Sequence, residues 1–468
     1  MIINTADGQL RFDSGNGDIY LDTKDVLLVI PKSPEGFTIC SLKEEPALEL
    51  ILVESSSSSL PDILRPLALD KAGSLPDHLV SSATHSVDII VSVKSGTGTA
   101  LVFWQDVLRP LLQLVAPQGR EASDGVAHNV VITQSADSIS QFAQELWSSL
   151  SSPDKSRTVV LLTGDGGIVD LLRQREVDGD GDGKDGSAPA TRPTVSLMPL
   201  GTGNALFHSL HKPLYAAGDG GPSPLVVAVR TLFRGQASPL PIFRASFTEG
   251  SYIVPPGGGG VADERQSPPA RVRHLDGAVV ASYGFHASLT YESDTPEYRV
   301  HGAKRFGMAA QELLRTSHAY AATLEMRAPG SPTLETAGGR DGTHSYVLAS
   351  LVSNLERTFT ISPDARPLDG QLRVVHFGDV GRERTMEAMT KAYDGGKHVH
   401  VAWPDGQKVH YEPVEEMRVT IREDEDRWCK VCIDGTTVHV PTGGQMNVRM
   451  LEETPLQVLI NPDVLLNT

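Results

Sequence analysis

The sequence predicts an α/β protein with a doubly wound parallel-sheet domain, an antiparallel β-sandwich domain after it and a small β-rich extension before it. Three patterns predict this arrangement. Short apolar strands alternate with amphipathic helices between positions 87 and 235, which is typical of a parallel sheet with helices on both faces. Beyond position 239, short strands follow one another between turns. Before position 55, polar and apolar residues alternate between turn signals such as Asp7-Gly8.

The predicted boundaries divide the chain into four segments. A β-rich N-terminal module covers 1–54. A linker covers 55–85, because the serine run from Ser55 to Ser59 is followed by several prolines. The doubly wound domain covers 86–238, and the β-sandwich domain covers 239–468.

The periodicity of apolar residues predicts the elements within these segments. In the N-terminal module, strands are expected at 26–30 and 49–53. In the doubly wound domain, Leu101, Trp104 and Leu108 repeat at helical spacing, and Pro224 and Gly235 mark the two ends of the last helix. The strands expected there are 87–93, 130–133, 159–162 and 195–198, and the helices are 101–115, 139–150 and 224–234, with Gly235 just past the end of the last one. The strands expected in the sandwich are 240–247, 276–283, 345–352, 372–377, 408–420, 427–433 and 446–450, with a helix near 303–319.

Composition narrows the classes of protein. The 468 residues are 40% hydrophobic and 21% charged, as in ordinary globular proteins of two or three domains. A net charge of -17 argues against nonspecific nucleic-acid binding and against long-range attraction to anionic membranes. We expect a cytoplasmic protein without a membrane-spanning segment, because no apolar run is long enough and no signal pattern opens the chain.

Cysteine is sparse. An odd count of 3 argues against a disulfide framework and fits a reducing compartment. Cys429 and Cys432 form a C-x-x-C pair, but it lies in a strand-like run without the second pair that a zinc ribbon needs or the helix start that a redox motif needs. We therefore expect both cysteines to be packing residues.

Two glycine-rich turns follow predicted strands. One reads Gly164-Asp165-Gly166-Gly167 after 159–162, and the other reads Gly201-Thr202-Gly203-Asn204 after 195–198. Turns of this kind point backbone N–H groups at a ligand beyond the strand end, most often a phosphate. An aspartate there would repel phosphate unless it binds magnesium or takes a proton from an attacking hydroxyl. The pair of turns predicts a nucleotide-dependent phosphotransferase.

The order of these motifs resembles the diacylglycerol kinase catalytic-domain superfamily, and most closely its sphingosine kinase and ceramide kinase branch. The similarity covers roughly residues 87–460. Its six ordered landmarks are 89–100, the first phosphate loop; 163–167, the G-D-G turn; 199–206, the second glycine signature; 283–306, with Tyr283-Gly284-Phe285 at its start; Gly396-Lys397-His398; and 432–435.

The resemblance implies an NAD kinase-like nucleotide-binding domain, ATP and Mg²⁺ as cofactors, and a lipid substrate met through transient peripheral contact with a membrane. It assigns Asp165 as the base that accepts the proton of the lipid hydroxyl. It leaves the metal ligands open. The residues expected to contact the nucleotide are Lys94, Gly96, Thr97, Gly98, Gly164, Gly166, Gly167, Gly201, Thr202, Gly203, Asn204, Arg299, Arg305 and Asp434.

The glycines and Asn204 also carry conformational expectations. Gly164, Gly166 and Gly167 are expected to permit positive φ and a close approach of the backbone to phosphate, and Gly201, Thr202, Gly203 and Asn204 are expected to do the same. Asn204 is expected to begin a helix whose amides face the nucleotide. For each loop, simple packing of a strand against a helix is the alternative.

Several positions depart from the family pattern. The first loop has Ser92-Val93 in place of Asn-Pro, and Thr97 and Thr99 in place of lysines. Asp170 and Thr436 stand where the family has glutamates, and Thr290 falls near the acidic residue that grips a sphingosine head group. Three alternatives to a sphingoid-base kinase stay open: a ceramide or diacylglycerol kinase, a weakened member that senses lipid or nucleotide, and a kinase of a soluble substrate such as NAD.

Two insertions interrupt the pattern. Asp178, Asp180 and Asp182 have the spacing of calcium ligands, but the twelfth position of that loop is Pro189 instead of glutamate. We expect the insertion at 178–186 to be a solvated acidic loop. The segment 249–274, rich in proline and glycine, is expected to be a loop as well.

Overall fold

The computed structural model describes residues 2–4, 9–13, 18–32, 35–57, 59–70, 75–96, 98–116, 128–135, 137–152, 154–175, 191–215, 220–255, 270–302, 304–337 and 342–465. Thr97, the acidic insertion at 178–186 and most of the 249–274 loop lie outside the described residues.

The N-terminal segment forms two small antiparallel sheets, one of β1, β2 and β3 and the other of β4, β5 and β6. Val29, Ile39 and Val53 build a core of their own, so the predicted strands at 26–30 and 49–53 are confirmed. Short 3₁₀ helices at Asp62–Leu67 and Asp77–Leu79 lie within the predicted linker. The strand bounds are β1 (Ile2–Asn4), β2 (Gln9–Asp13), β3 (Asp18–Asp22), β4 (Val26–Pro31), β5 (Phe37–Lys43) and β6 (Glu49–Ser55).

The next segment alternates strands with helices as predicted. Its first helix is continuous, but a π-helical turn at Phe103–Leu108 joins two α-helical parts. The last helix is capped by Ser223, whose side chain accepts the Val226 amide, and carries Pro224 in its first turn. The elements are β7 (His85–Val91), α1 (Ala100–Val102), α2 (Arg109–Val115), β8 (Asn129–Ile132), α3 (Ser138–Ser149), β9 (Ser156–Thr163), α4 (Gly166–Arg173), β10 (Thr194–Pro199), α5 (Ala205–His211), α6 (Pro224–Arg234) and β11 (Gln236–Pro239).

The remaining elements are mostly antiparallel strands. The strands are β12 (Phe243–Phe247), β13 (Tyr252–Ile253), β14 (His274–Gly277), β15 (Val280–Gly284), β16 (Tyr320–Arg327), β17 (Glu335–Ala337), β18 (Thr343–Ser350), β19 (Arg373–Gly378), β20 (His410–Pro413), β21 (Glu416–Ile421), β22 (Lys430–Ile433), β23 (Thr436–His439), β24 (Gln445–Met450) and β25 (Gln457–Ile460). The helices are α7 (Phe285–Ser293), α8 (Pro296–Arg299), α9 (Lys304–Thr316), α10 (Gly381–Tyr393) and α11 (Pro462–Leu465).

The antiparallel strands pair along one curled path, β13-β23-β22-β15-β18-β16-β21-β24-β12-β14, with β17, β19 and β20 attached to it. Alternate residues of β16 are buried, as expected for a sheet with one face on a core. The strand predicted at 276–283 is two strands, β14 and β15, separated by Ala278 and Val279.

The parallel sheet has the order β11-β25-β10-β9-β7-β8. Strands β7 to β10 run parallel to their neighbours, and β25 enters between β10 and β11. Sequence analysis placed no strand of the C-terminal segment in this sheet. Val458, Leu459 and Ile460 of β25 are all buried, because both faces of a central strand are covered. The domain boundaries at 54, 85 and 238 stay a prediction. Strand β25, near the end of the described chain, nevertheless belongs to the parallel sheet.

Candidate active site

Three loops meet at the carboxyl ends of β7, β9 and β10, and glycines line their contacts. The Gly164 amide donates to Ser95 Oγ at 3.1 Å. A methyl group on Gly96 would lie 2.5 Å from Gly201 Cα, and one on Gly201 would lie 2.3 Å from Gly164 Cα. Only residues without a Cβ fit there, because the loops pack backbone against backbone. The structure therefore brings together the three glycine loops that the sequence singled out.

The predicted positive φ is wrong for five of the glycines. Gly96 and Gly98 have φ of 50° and 72°, whereas Gly164, Gly166, Gly167, Gly201 and Gly203 are outside the left-handed region. Added methyl groups on Gly98 and Gly166 would meet no atom within 4 Å among the described residues. These two positions face open space at the loop surface.

Gly167 and Gly203 are restricted by their own neighbours. A methyl group on Gly167 would lie 2.4 Å from Thr163 Oγ1, at the start of α4. One on Gly203 would lie 3.1 Å from the carbonyl oxygen of Leu355, which belongs to the antiparallel region. At both positions packing alone accounts for the missing side chain.

Asp165 lies between α4 and α5. Its Oδ2 accepts the Ala205 amide at 2.7 Å, and its Oδ1 accepts the Leu206 amide at 3.0 Å. The carboxylate thus sits at the positive end of α5, where helix amides lack partners within the helix. Burial raises the pKa of Asp165, while the two amides act in the opposite direction.

Asn204 shapes the loop before α5. It adopts the left-handed conformation with φ 53°, and its Oδ1 accepts the Gly201 amide at 2.9 Å. Its Nδ2 donates to the carbonyls of Pro199 and Gly201 at 3.2 and 2.9 Å. Thr202 is exposed at the tip. The expectation that the first amides of α5 face a nucleotide is corrected, because Asp165 accepts both of them.

Asp434 occupies the tip of the β22–β23 hairpin. It has φ 47° and Gly435 has φ 88°, the pair of positive values that a type I′ turn requires. Its carboxylate accepts the amide of Ala278 at 2.6 Å, that of Val279 at 3.1 Å and that of Val280 at 2.6 Å. The break between β14 and β15 thus presents three successive N–H groups to one side chain.

Asp434 and Asp165 come from different sheets but interact electrostatically. Burial raises the pKa of Asp434 to about 7, and the charge of Asp165 adds to the increase, whereas the three amides lower it. Burial and backbone amides are the largest contributions to the pKa shifts of both carboxyl groups. The arrangement therefore pairs two carboxyl groups whose hydrogen bonds come from backbone amides.

Two arginines after Asp165 connect α4 to the antiparallel region. Arg173 Nη2 donates to Thr436 Oγ1 at 2.6 Å. Arg175 Nη1 lies 3.4 Å from Oδ2 of the buried Asp276, which Arg244 also holds at 2.7 Å. The sequence did not predict these contacts, although an arginine at the end of α4 and another two residues beyond it were a visible signal.

Helix α5 is held on its other side by the segment after β18. The amide of Asn354 donates to Ser209 Oγ at 3.0 Å. Lys212 Nζ donates to Asn354 Oδ1 at 3.3 Å and to Thr360 Oγ1 at 3.1 Å. Because α5 supplies both hydrogen bonds to Asp165, these contacts fix the carboxylate as well. An isolated asparagine between apolar runs was too weak a signal to identify from sequence.

The contacts of the other predicted site residues are with partners other than Asp165. Lys94 is exposed in the loop after β7. Arg299 holds Asp294 through two hydrogen bonds of 3.0 and 2.7 Å, and Arg305 reaches the same carboxylate at 3.3 Å. The Thr290 hydroxyl donates to the His286 carbonyl at 3.0 Å within α7. The structure thus gathers both arginines around Asp294.

Residues 86–245 match the family model described as the diacylglycerol kinase catalytic domain. The match starts within β7 and covers the three glycine loops, Asp165, Asn204 and α5. This segment is a diacylglycerol kinase catalytic domain. The chain is therefore a kinase, a phosphotransferase that acts on a lipid alcohol. The diacylglycerol kinase catalytic domain spans about a third of the chain, and Asp434, Arg299 and Arg305 lie beyond it.

The fold is similar to three solved structures from Bacillus anthracis strain Sterne, one described as a diacylglycerol kinase and two as candidates for that activity. Their TM-scores are 0.46, 0.47 and 0.49, at 13, 14 and 14% identity, and each alignment covers 82% of this chain and 100% of the other. No curated protein sequence matches this chain. Within the described residues, no helix combines the length and the apolar character needed to cross a membrane.

Proposed function

We propose that the protein is an ATP- and Mg²⁺-dependent kinase that phosphorylates a primary hydroxyl of a sphingoid base or a related lipid. The observation that carries the proposal is the Asp165 carboxylate, which two amides of α5 hold at the meeting point of three glycine loops inside a diacylglycerol kinase catalytic domain. A rigidly placed carboxylate with a raised pKa has the properties of a general base.

Asp165 would take the proton of the lipid hydroxyl. As the hydroxyl oxygen forms its bond to the γ-phosphorus, the bond between that phosphorus and the bridging oxygen of ADP breaks, and the hydroxyl proton moves to the carboxylate. Only the ionised form can accept it. Since burial raises the pKa of Asp165, turnover should increase as pH rises through that pKa.

The charge arrangement fits a magnesium ion. Carboxylates are hard oxygen ligands, and the charge of Asp165 raises the pKa of Asp434, so the two carboxyl groups form a negative site that a divalent cation would neutralise. Asp434 would hold Mg²⁺, and the nearby charge of Asp165 would add to the attraction for the ion. The ion would supply positive charge to the phosphates of ATP.

The nucleotide phosphates would lie against the open faces of the glycine loops. Gly98 and Gly166 have free space where a side chain would be, so backbone can approach a ligand there. Lys94 and Thr202 are exposed on the same loops, and Thr97 stands between Gly96 and Gly98 in sequence. Arg299 and Arg305, paired with Asp294, would have to exchange that partner for phosphate. The doubly wound domain would then bind ATP in the NAD kinase-like manner that the resemblance implies.

An apolar crevice beside both carboxylates is our candidate for the lipid chain. Leu206 and Ala278, whose amides bind Asp165 and Asp434, line it together with Leu351 and Leu368. Its volume of about 20 Å³ admits a water molecule but no alkyl chain. Lipid binding would therefore require the two sheets to separate, and we propose that this happens during transient peripheral contact of a cytoplasmic enzyme with a membrane.

The test is transfer of labelled γ-phosphate from ATP to a panel of sphingoid bases, ceramide, diacylglycerol and NAD, with Mg²⁺ or with a chelator. We expect a Mg²⁺-dependent lipid product that Asp165→Asn abolishes. The control is Asp154→Asn, which removes an exposed carboxylate at the opposite end of β9. If only diacylglycerol or ceramide is phosphorylated, that lipid is the acceptor instead of a sphingoid base. If only NAD is phosphorylated, the substrate is a soluble molecule instead of a lipid. Intact ATP binding without any product would support a sensor.

A further inference from the structure

Three potential metal ligands lie together at the base of the β22–β23 hairpin, away from its tip at Asp434. They are Asp426 and Cys429, just before β22, and His439, the last residue of β23. One ligand atom from each side chain lies within 4.8 Å of the others. The sequence did not indicate this cluster, because only folding of the hairpin brings His439 beside Cys429.

His439 is the second observation that points to a ligand. Its side chain is buried with 10% exposure, and neither ring nitrogen has a hydrogen-bond partner among the described residues. Its ring stacks on Tyr252 at 4.7 Å between centroids and 18° between planes, which restricts its orientation. Buried imidazole nitrogens without partners are rare, because burial removes their hydrogen bonds to water and no new hydrogen bond compensates for the loss.

The distances suit a tetrahedral ion. Nε2 of His439 lies 3.6 Å from Oδ1 of Asp426, too far for a good hydrogen bond. Ligand atoms around zinc lie about 3.3–3.6 Å apart when the bonds are about 2.0–2.3 Å long. Cys429 is buried and makes only weak contacts of 3.6 and 3.8 Å through its sulfur, so its rotation toward an ion disrupts little.

We propose that Asp426, Cys429 and His439 bind one Zn²⁺ ion, with water as the fourth ligand. Thiolate, imidazole and carboxylate together select zinc over Mg²⁺, which prefers oxygen alone. Binding converts the thiol and the ion into a zinc–thiolate bond and releases the thiol proton. The exposed Asp426 side chain, with 91% exposure, leaves an entry path from solvent. The ion would fasten the base of the hairpin whose tip carries Asp434.

The test is equilibrium dialysis of the full chain, stripped with chelator, against Zn²⁺ and separately against Mg²⁺, with metal content measured by mass spectrometry. We expect one Zn²⁺ per chain, and at least about tenfold weaker binding in Cys429→Ser and in His439→Gln. Asp426→Asn alters an exposed side chain, so it should weaken binding without affecting folding. With Co²⁺ as the probe, the thiolate charge-transfer band should be present in the parent and absent in Cys429→Ser.

Two control variants discriminate this site from others. Cys432→Ser removes the neighbouring buried thiol and should keep Zn²⁺. His410→Gln removes a ligand from the other possible cluster, formed by His376, His410 and Glu412, and should keep it too. Loss of zinc in His410→Gln with retention in Cys429→Ser would overturn the proposal, as would a parent that binds no Zn²⁺ beyond the Cys429→Ser level.

Discussion

Asp165 and Asp434 are two carboxylates held by backbone amides in different parts of the molecule. Asp165 follows a parallel strand and accepts two amides at the start of α5. Asp434 lies at the tip of an antiparallel hairpin and accepts three amides from the break between β14 and β15. Both pKa values are raised by burial, that of Asp434 to about 7.

The difference lies in what each carboxylate joins. The partners of Asp165 belong to the same catalytic domain, so its hydrogen bonds fix a side chain within one sheet and its following helices. The partners of Asp434 lie at and just before the start of β15, the strand that pairs with β22, so its hydrogen bonds fix the tip of the hairpin against the neighbouring strand of the same sheet. We infer that Asp165 is held for chemistry, while Asp434 contributes more to stability and to the placement of charge.

The largest expected effect is on turnover in Asp165→Asn. The amide cannot accept a proton, so the rate should fall at least about a hundredfold. The substitution should also lower the free energy of unfolding by about 1–2 kcal/mol, because the NH₂ group of asparagine would face one of the two backbone donors. Transfer assays and urea unfolding measure both. A rate within a few fold of the parent would remove Asp165 from the mechanism.

Asp434→Asn should show the opposite pattern, with a larger effect on stability than on turnover. Three donors face this side chain, so we expect a loss of about 2–3 kcal/mol in the free energy of unfolding. Activity should recover to within about tenfold of the parent at high Mg²⁺, since the proton acceptor is unchanged. If Asp434→Asn lowers turnover more than Asp165→Asn does and leaves stability unchanged, Asp434 and not Asp165 would be the residue held for chemistry.

Glycines on the loops sharpen the same contrast between packing and ligand contact. Gly201→Ala would place a methyl group 2.3 Å from Gly164 Cα, and we expect it to cost about 3 kcal/mol. Gly166→Ala meets no atom within 4 Å, so stability should stay within about 0.5 kcal/mol while KM for ATP rises several-fold. Unfolding curves and ATP titrations test the pair. An unchanged KM in Gly166→Ala would show that this glycine does not approach the nucleotide.

A pH series tests the raised pKa of Asp434. The native carboxyl group keeps its proton up to about pH 7, whereas the unfolded chain releases it near 3.8. The native state then binds more protons between these values, so the free energy of unfolding should fall as pH rises and level off above about 7. The decline should be shallower in Asp434→Asn. Equal slopes in both proteins would mean that the three amides keep Asp434 ionised.

Sequence predicted the parts of the molecule that depend on local pattern. Apolar strands followed by glycines marked β9 and β10, and Pro224 and Gly235 bounded α6. It failed where long-range packing decides. The position of β25 inside the parallel sheet depends on a partner more than 200 residues away, and its apolar run is typical of any buried strand.

The candidate site shows the same limit. Sequence identified Asp165 and the glycine loops, but it assigned the glycines to phosphate. In the structure Gly96, Gly164 and Gly201 are required by each other, because three loops converge without room for a Cβ. The partners of Asp165 could not be predicted, since they are backbone amides that any residue supplies. The contact of Arg173 with Thr436 likewise depends on how two sheets meet.

The smallest expected effect concerns the acidic insertion at 178–186, which lies outside the described residues. In the sequence it lies between α4 and β10, after the two arginines that contact the antiparallel region and before the second glycine loop. Without a glutamate at its twelfth position, any calcium site should be open and weak, with a Kd of about millimolar at best. Replacement of 178–186 by a Gly/Ser linker should therefore leave the melting temperature and kinase activity nearly unchanged, with or without Ca²⁺. The matched control is the parent chain assayed across the same calcium series. Calcium-dependent activity in the parent that disappears in the deletion variant would make the insertion a regulatory site.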